Sequence, residues 1–229
     1  MTAQHTQSIL DQVDDLNDRT TLNLNDERIS NLEPLSSLTN LTTLDIDFNE
    51  ISDINPLASL TNLTMISLED NQISDINPLA SLTKLNWLNL EDNQIGDIKP
   101  LSLLIDLTEL YLTNNQIDDV NPLTSLTNLA TLYLSGNQIS DIKPLASLTS
   151  LTSLGIEGNL VKDIKSLMPL TKLTELSLRD NQISDIKPLA SLINLEWLDL
   201  FDNQISEEDV IWLQKKLPFC RIRALPLTR

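Results

Sequence analysis

The amino-acid sequence predicts an α/β solenoid, in which short parallel strands stack along one side of a coiled chain. Three observations support this prediction. The pattern L-x-x-L-x-L-x-x-N recurs every 22 residues. Its leucines alternate with other residues, which is the period of a strand with one buried face. A proline follows at a fixed distance in most units, ahead of further leucines. A single unit would leave its apolar edge exposed, so neighbouring units must stack.

The repeat continues through most of the chain. Residues 19–216 form nine units of 22 residues without an insertion. Eight of these units carry an asparagine at place 9, which is expected to bond the backbone of the adjacent buried turn and to form a ladder between units. The proline at place 16 suits the first position of a 3-10 turn, because that position needs no N–H donor. Each unit is therefore predicted to be one coil of the solenoid.

The two ends depart from the repeat and are predicted to seal the solenoid. Ile9, Leu10, Val13 and Leu16 stand at helical spacing, which predicts an N-terminal capping helix. Ser206 precedes three acids and then two lysines, as expected for the N-cap and the charges of a C-terminal helix. The predicted domains are the N-terminal cap (1–18), eight repeats (19–194), and a ninth strand with a C-terminal helical cap (195–229).

One stretch of the repeat carries a family resemblance. The segment LTNLTTLDIDFNEISDINPLASLTN, which begins at Leu38, resembles the 22-residue leucine-rich repeat of bacterial internalins. The resemblance implies a horseshoe with parallel strands on the concave face, short 3-10 turns on the convex face and helical caps. It also implies a protein-binding role. It does not imply a particular partner, because internalin-like proteins bind through residues that differ from one protein to the next.

The charge balance narrows the range of partners. The chain has 15 basic and 33 acidic residues, a formal charge of −18, so nucleic acid and anionic membrane are not expected to bind it. A single cysteine, Cys220, and a sequence without an apolar leader or spanning run predict a cytoplasmic protein, or a secreted one if a leader was removed. We expect a monomer.

The sequence does not favour catalysis, a cofactor or a metal site. Its one histidine, His5, lies outside the repeats, and zinc-ligand spacings and nucleotide-binding loops are missing from the sequence. Glu69 and Glu91 share a column and could mimic the carboxylate pair of a glycosidase, but the repeats have no inserted loops to shape a sugar site. An aspartate column at place 13 could bind calcium or bond the local backbone before the proline turn. It consists of Asp53, Asp75, Asp97, Asp119, Asp141, Asp163 and Asp185.

The residues that differ between units carry the functional prediction. Tyr111 and Tyr133 are expected to place their rings about 5 Å apart, with Trp87 roughly 7–8 Å from Tyr111. Gly155 is expected to leave a shallow recess beyond Tyr133. These aromatics either bind a partner or merely cover one another. Places 2, 3, 5, 7 and 8 point away from the core, and they hold six of the eight aromatic residues: Phe48, Trp87, Tyr111, Tyr133, Trp197 and Phe201.

The same outward places hold fourteen acids and one base, Arg179. Such a face attracts a basic partner. We therefore predict a non-enzymatic module that binds a protein or peptide bearing basic residues. Carbohydrate recognition by the same aromatics and a designed scaffold without a natural partner stay open as alternatives. Trp197 and Phe201 form a secondary patch that the cap could cover. The predicted partner-binding residues are Trp87, Tyr111, Tyr133, Asp45, Asp47, Glu69, Glu91 and Gly155.

Overall fold

The computed structural model describes residues 3–11 and 18–224. Within these residues, ten short strands form one open sheet in chain order. Neighbouring strands are parallel, and inside the repeats each residue pairs with the residue 22 positions later, as Met65 does with Trp87. The predicted solenoid is confirmed. The strands are β1 (Thr21–Asn23), β2 (Thr43–Asp45), β3 (Met65–Ser67), β4 (Trp87–Asn89), β5 (Glu109–Tyr111), β6 (Thr131–Tyr133), β7 (Ser153–Gly155), β8 (Glu175–Ser177), β9 (Trp197–Asp199) and β10 (Arg221–Arg223).

Short 3-10 helices form the convex side of the coils. In most of them a proline occupies the first turn, as the sequence predicts. We number the coils 1 to 9 from residue 19, each 22 residues long, so that coil 7 is 151–172. The 3-10 helices are Glu33–Leu35, Asn55–Ser59, Asn77–Ser81, Lys99–Leu103, Asn121–Ser125, Lys143–Ser147, Lys165–Leu167 and Lys187–Ser191.

Leucine and isoleucine fill the interior between the strands and the 3-10 helices. In coil 4, Leu88, Leu90, Ile95 and Leu101 are each 0% exposed. Full burial of one such side chain contributes about 1.5–3 kcal/mol. Each coil adds a similar layer, so the core extends along the stack and leaves the outward strand positions free to vary.

The asparagines at place 9 form the predicted ladder. Asn49 donates from Nδ2 to the backbone carbonyls of Leu24 and Ile46 at 2.9 and 3.1 Å, and its Oδ1 accepts the N–H of Ile29 at 2.8 Å. Because Leu24 and Ile29 belong to the preceding coil, each asparagine joins two coils. The same contacts recur at Asn71, Asn93, Asn115, Asn137, Asn159, Asn181 and Asn203.

The residue before each ladder position has a left-handed backbone. Its φ is 50° at Asp70 and 65° at Gly136. Glycine, asparagine and aspartate tolerate this region better than other residues, which explains why they fill place 8 of most coils. Phe48 departs from this rule, since it combines a bulky side chain with a φ of 57° and is 49% exposed. The aspartates at place 8 therefore contribute their tolerance of a left-handed backbone as well as their negative charge.

The aspartate column at place 13 has a structural role, which was one of its two sequence-based interpretations. Asp53 Oδ1 accepts the backbone N–H of Asn55 at 2.9 Å, at the start of a 3-10 helix. Asp75, Asp97, Asp119, Asp141, Asp163 and Asp185 each accept from the residue two positions later. Within the described residues, no cluster of three or more His, Cys, Asp or Glu side chains is arranged to hold a metal ion.

Two α-helices lie at the ends of the stack. Helix α1 (Ala3–Leu10) buries Leu10, whereas Val13 and Leu16 lie outside the described residues. Helix α2 (Glu207–Lys216) is capped at its N-terminus by Ser206, whose Oγ accepts the N–H of Asp209 at 3.1 Å. Neither helix, as far as the chain is described, is long and apolar enough to cross a membrane. The predicted domain boundaries stay a prediction.

Helix α2 buries a narrow apolar face. Leu213 and Leu217 are buried, but Ile211 is 49% exposed. Beyond the helix, Cys220 is 4% exposed, and burial raises the pKa of its thiol to about 11. A thiol with a pKa this high is a poor nucleophile at neutral pH, so Cys220 acts as a core residue.

Candidate functional site

Three aromatic side chains form a continuous row on the strand face. The rings of Tyr111 and Tyr133 are stacked, with centroids 5.6 Å apart and an interplanar angle of 18°, close to the predicted separation of about 5 Å. Trp87 lies closer to Tyr111 than expected, with centroids 5.5 Å apart and planes tilted by 47°. Both distances are in the range in which aromatic pairs stabilise each other. We call Trp87, Tyr111 and Tyr133 the aromatic ridge.

Hydrogen bonds hold the two tyrosine rings of the ridge in place. The hydroxyl of Tyr111 donates to Glu109 Oε2 at 2.7 Å, and the hydroxyl of Tyr133 lies 2.9 Å from Ser153 Oγ. Burial, together with the bond to the Glu109 carboxylate, raises the pKa of Tyr111 to about 12. The phenol therefore stays protonated at neutral pH and keeps its donor. The three side chains of the ridge are half-buried, and hydrogen bonds fix the hydroxyl groups of its two tyrosines.

The recess predicted at Gly155 is wrong, because the ring of Tyr133 occupies it. A Cβ atom built on Gly155 would stand 2.5 Å from Cδ1 of Tyr133 and 3.0 Å from Cε1. Gly155 is itself buried. Since the glycine lets the Cδ1–Cε1 edge of the Tyr133 ring approach the next strand closely, it supports the ridge.

Met65 extends the ridge toward the N-terminal coils, and the sequence-based search for aromatics missed it. Met65 is 39% exposed and pairs directly with Trp87 across β3 and β4. Flexible thioethers beside aromatic rings are common at protein-binding surfaces. The signal in the sequence was its position, since it fills the same outward place of its coil as Trp87.

Carboxylates flank the N-terminal end of the ridge, where neighbouring coils place Asp47, Glu69 and Glu91 in one column. Asp47 is 8% exposed, and one of its oxygens accepts the N–H of Glu69 at 2.6 Å. Burial, with a smaller contribution from the Asp45 carboxylate, raises the pKa of Asp47 to about 6. Burial also raises the pKa of Glu91 above its ordinary value, and Glu69 adds to that effect.

Asp45 lies beside this column, and only one of its two carboxylate oxygens has a hydrogen-bond partner among the described residues. Its Oδ2 accepts from Asn23 Nδ2 at 2.9 Å, whereas its Oδ1 is buried without a hydrogen-bond partner in the described structure. Glu69 accepts from Asn89 Nδ2, also at 2.9 Å. The four predicted acids therefore lie on adjacent coils. Of these acids Asp47 is buried, whereas Asp45, Glu69 and Glu91 are half-buried.

The secondary patch around Phe201 is covered by arginines. The guanidinium carbon of Arg179 lies 5.4 Å from the ring centroid of Phe201, and that of Arg223 lies 5.0 Å from it. Arg223 also pairs with Asp199 at 3.0 Å, and Arg179 lies 3.7 Å from Asp202. We call Trp197, Phe201 and the arginines around them, Arg179, Arg221 and Arg223, the C-terminal patch.

Two of these arginines change the expected charge of the strand face. In the register of β10 on β9, Arg221 pairs with Trp197 and Arg223 with Asp199. The repeat pattern did not assign them to this face, because they follow helix α2 and belong to no 22-residue unit. The face is therefore more strongly acidic at its N-terminal end than at its C-terminal end.

Comparisons with known sequences agree with the repeat architecture of the chain. A family model of leucine-rich repeats in two copies matches residues 20–59, 39–81, 61–102, 83–125, 127–167 and 171–211. A search of curated proteins gives no match.

Solved structures include similar bacterial proteins. An internalin (InlF) from Listeria monocytogenes is 30% identical with a TM-score of 0.77, over 97% of this chain and 80% of that one. Internalin C2 from the same species is 38% identical with a TM-score of 0.76, over 82% of this chain and 80% of that one.

A plant protein provides a structure with a bound partner. The ectodomain of the receptor kinase GASSHO1/SCHENGEN3 from Arabidopsis thaliana is 25% identical with a TM-score of 0.71, over 80% of this chain and 24% of that one. It was solved in complex with CASPARIAN STRIP INTEGRITY FACTOR 2.

Proposed function

The chain belongs to the leucine-rich repeat family, in its internalin type, and from this premise we propose that its strand face binds a protein or peptide bearing basic residues. Leucine-rich repeat proteins are protein-interaction modules, and at the family level this argues against an enzyme. The basic character of the partner and the position of its site are the specific parts of the proposal.

The aromatic ridge is the observation that supports the site most strongly. Binding loses free energy for each flexible side chain that must be ordered at the interface. Tyr111 and Tyr133 are already ordered by their mutual stacking and by bonds to Glu109 and Ser153. A partner could therefore bury their free ring surfaces at little entropic cost. Rigid aromatic residues of this kind are enriched among those that dominate binding energy.

The neighbouring carboxylates support a basic partner. Asp47 and Glu91 have raised pKa values chiefly because burial disfavours their ionised forms. Among the described residues no lysine or arginine forms an ion pair with Asp47 or Glu91, and a lysine or arginine of the partner would supply that opposite charge. The partner's aliphatic or aromatic groups would then lie on the ridge, and its cations on Glu69 and Glu91.

The test compares the triple variant Trp87→Ala, Tyr111→Ala, Tyr133→Ala with the unchanged protein. Both are immobilised, exposed to a lysate of the source organism, and the captured proteins are quantified at low and high salt. We expect capture of the specific partner to fall at least about tenfold in the triple variant and to fade with salt.

The control variant is Phe219→Ala, which removes an aromatic that is 96% exposed and remote from the ridge. It should capture as much as the unchanged protein, and circular dichroism should show that all variants are folded. Equal capture by the triple variant would exclude the site. Carbohydrate recognition is tested by a glycan array, because sugar stacking on the ridge should survive high salt while capture of a basic segment should not.

A further inference from the structure

A cleft of about 850 Å³ opens on the outer side of coils 6 and 7, away from the aromatic ridge. Its lining includes Lys143 and Ala146 from coil 6, and Leu160, Lys162 and Ser166 from coil 7. We propose that this cleft binds a short acidic segment of a partner protein, with an aliphatic side chain on Leu160 and carboxylates on the lysines. The proposal does not depend on the function assigned to the strand face.

The cleft is built from residues that interrupt the repeat. Leu160 stands where six other coils have glutamine, and Lys162 stands where six others have serine. Ser166 replaces the proline found at the same place in seven coils. These three departures occur in one coil and all line one cleft. The other coils show that the fold forms without them, so folding alone does not account for them.

The serine is unfavourable for the local structure. Ser166 Oγ is buried and has no hydrogen-bond partner among the described residues. A buried hydroxyl without a partner is destabilising, and serine also lacks the fixed φ that suits proline at the start of a 3-10 helix.

The charges at the cleft leave cationic groups available. Asp141 and Asp163 direct Oδ1 toward the backbone N–H groups of Lys143 and Lys165, each at 3.0 Å. Lys143 Nζ also lies 3.6 Å from Asp141 Oδ2, in a solvent-exposed pair that contributes little. In the described part of the chain, Lys162 and Lys165 make no ion pair.

An apolar surface lies among these ammonium groups. Leu160 is 47% exposed, and Ala146 borders the same cleft. An inorganic anion would contact only the lysines and leave the apolar surface exposed to water. An acidic segment that contains leucine or isoleucine would contact the lysines and cover the apolar surface as well. The open shape of the cleft, between the outer edges of two coils, admits an extended peptide. Charge complementarity and exposed apolar surface thus favour the same occupant.

The experiment measures fluorescence anisotropy of a short fluorescein-labelled peptide that alternates glutamate with leucine. The test variant is Leu160→Gln, Lys162→Ser, Ser166→Pro, which gives coil 7 the residues that coil 8 carries at Gln182, Ser184 and Pro188. We expect peptide affinity to fall at least about tenfold, while the urea midpoint of unfolding rises because the proline and the repeat are restored.

The control variant Lys99→Asn also loses one lysine, at a place where coils 3 and 5 have Asn77 and Asn121. It should bind the peptide normally, as should the triple alanine variant of the aromatic ridge, which separates this proposal from the function of the strand face. The proposal is overturned if the unchanged protein does not bind the peptide at millimolar concentration, or if the coil 7 variant binds it equally well. It is also overturned if sodium phosphate displaces the peptide where sodium chloride of equal ionic strength does not, since the site would then be one for small anions.

Discussion

The aromatic ridge and the C-terminal patch use the same kind of position in the repeat for opposite arrangements. Trp87 and Trp197 occupy place 3 of coils 4 and 9, and both are half-buried. On the ridge, rings stack on rings. In the patch, the guanidinium groups of Arg179 and Arg223 lie against Phe201, and Asp202 and Asp199 pair with them. The contacts of an outward aromatic residue therefore depend on the residues of the adjacent coils and cannot be inferred from its own place in the repeat.

The difference indicates which region is free to bind. The cation–π contacts and ion pairs of the patch already satisfy its ring and its charges within the chain. The tyrosine hydroxyl groups of the ridge have hydrogen-bond partners, whereas burial raises the pKa values of the nearby Asp47 and Glu91. In the described structure, neither of these carboxylates takes part in an ion pair. We infer that the ridge has more to gain from a partner than the patch.

The largest expected effect on partner binding comes from replacing the tryptophan of one region, and the tryptophan of the other region provides the comparison. Trp87→Ala should weaken partner binding by about 2 kcal/mol or more, as expected for a central aromatic residue of an interface. Trp197→Ala removes the same side chain from the same place of another coil, and it should change binding by less than about 0.5 kcal/mol. Isothermal titration with the captured partner measures both. A larger loss for Trp197→Ala would reverse the comparison.

An intermediate effect, on the free energy of unfolding, is expected at Gly155, where the ring of Tyr133 contacts the backbone of the next strand. Gly155→Ala places a methyl group against the ring of Tyr133, where the built Cβ lies 2.5 Å from Cδ1. The ring must move, and we expect a loss of about 1–2 kcal/mol of unfolding free energy, as for overpacking. Urea unfolding followed by circular dichroism measures the loss. Gly96→Ala is the matched control, since its added Cβ would meet only Gln116 O, at 3.7 Å. Equal stability of the Gly155 and Gly96 variants would show that the ring is not confined by the glycine.

The periodic part of the molecule could be predicted from the sequence, and the parts that escaped prediction are not periodic. Leu88 and Asn93 recur in neighbouring coils, so one spacing determines their burial and hydrogen bonds. The segment FCRIR predicts one last strand after helix α2, and β10 confirms it. The position of the Arg223 side chain against Phe201 was not predicted, because Arg223 belongs to no 22-residue unit. The position of the Tyr133 ring over Gly155 depends on a side-chain rotamer, which the sequence pattern does not determine.

The smallest expected effect is a pH dependence of partner binding caused by Asp47, one of the carboxylates that flank the ridge. The pKa of Asp47 is about 6 in the folded protein against an ordinary value of 3.8. The folded state therefore binds this proton more tightly, and the contribution of Asp47 to stability falls as pH rises from about 4 to about 6. Ionised Asp47 attracts a basic partner, so affinity should rise roughly threefold between about pH 5 and pH 7.

Two substitutions of aspartate by asparagine separate the regions in this measurement. Asp47→Asn should make the pH profile of partner affinity shallower, because it removes one of the two carboxyl groups, Asp47 and Glu91, whose pKa values are raised by burial. Asp202→Asn makes the same chemical change in the C-terminal region, beside Arg179. Asparagine also tolerates the backbone φ of 57° at that position, so its profile should match that of the unchanged protein. A profile that stays steep in Asp47→Asn would assign the titration to another group, and one that flattens in Asp202→Asn would place the basic partner on the C-terminal patch.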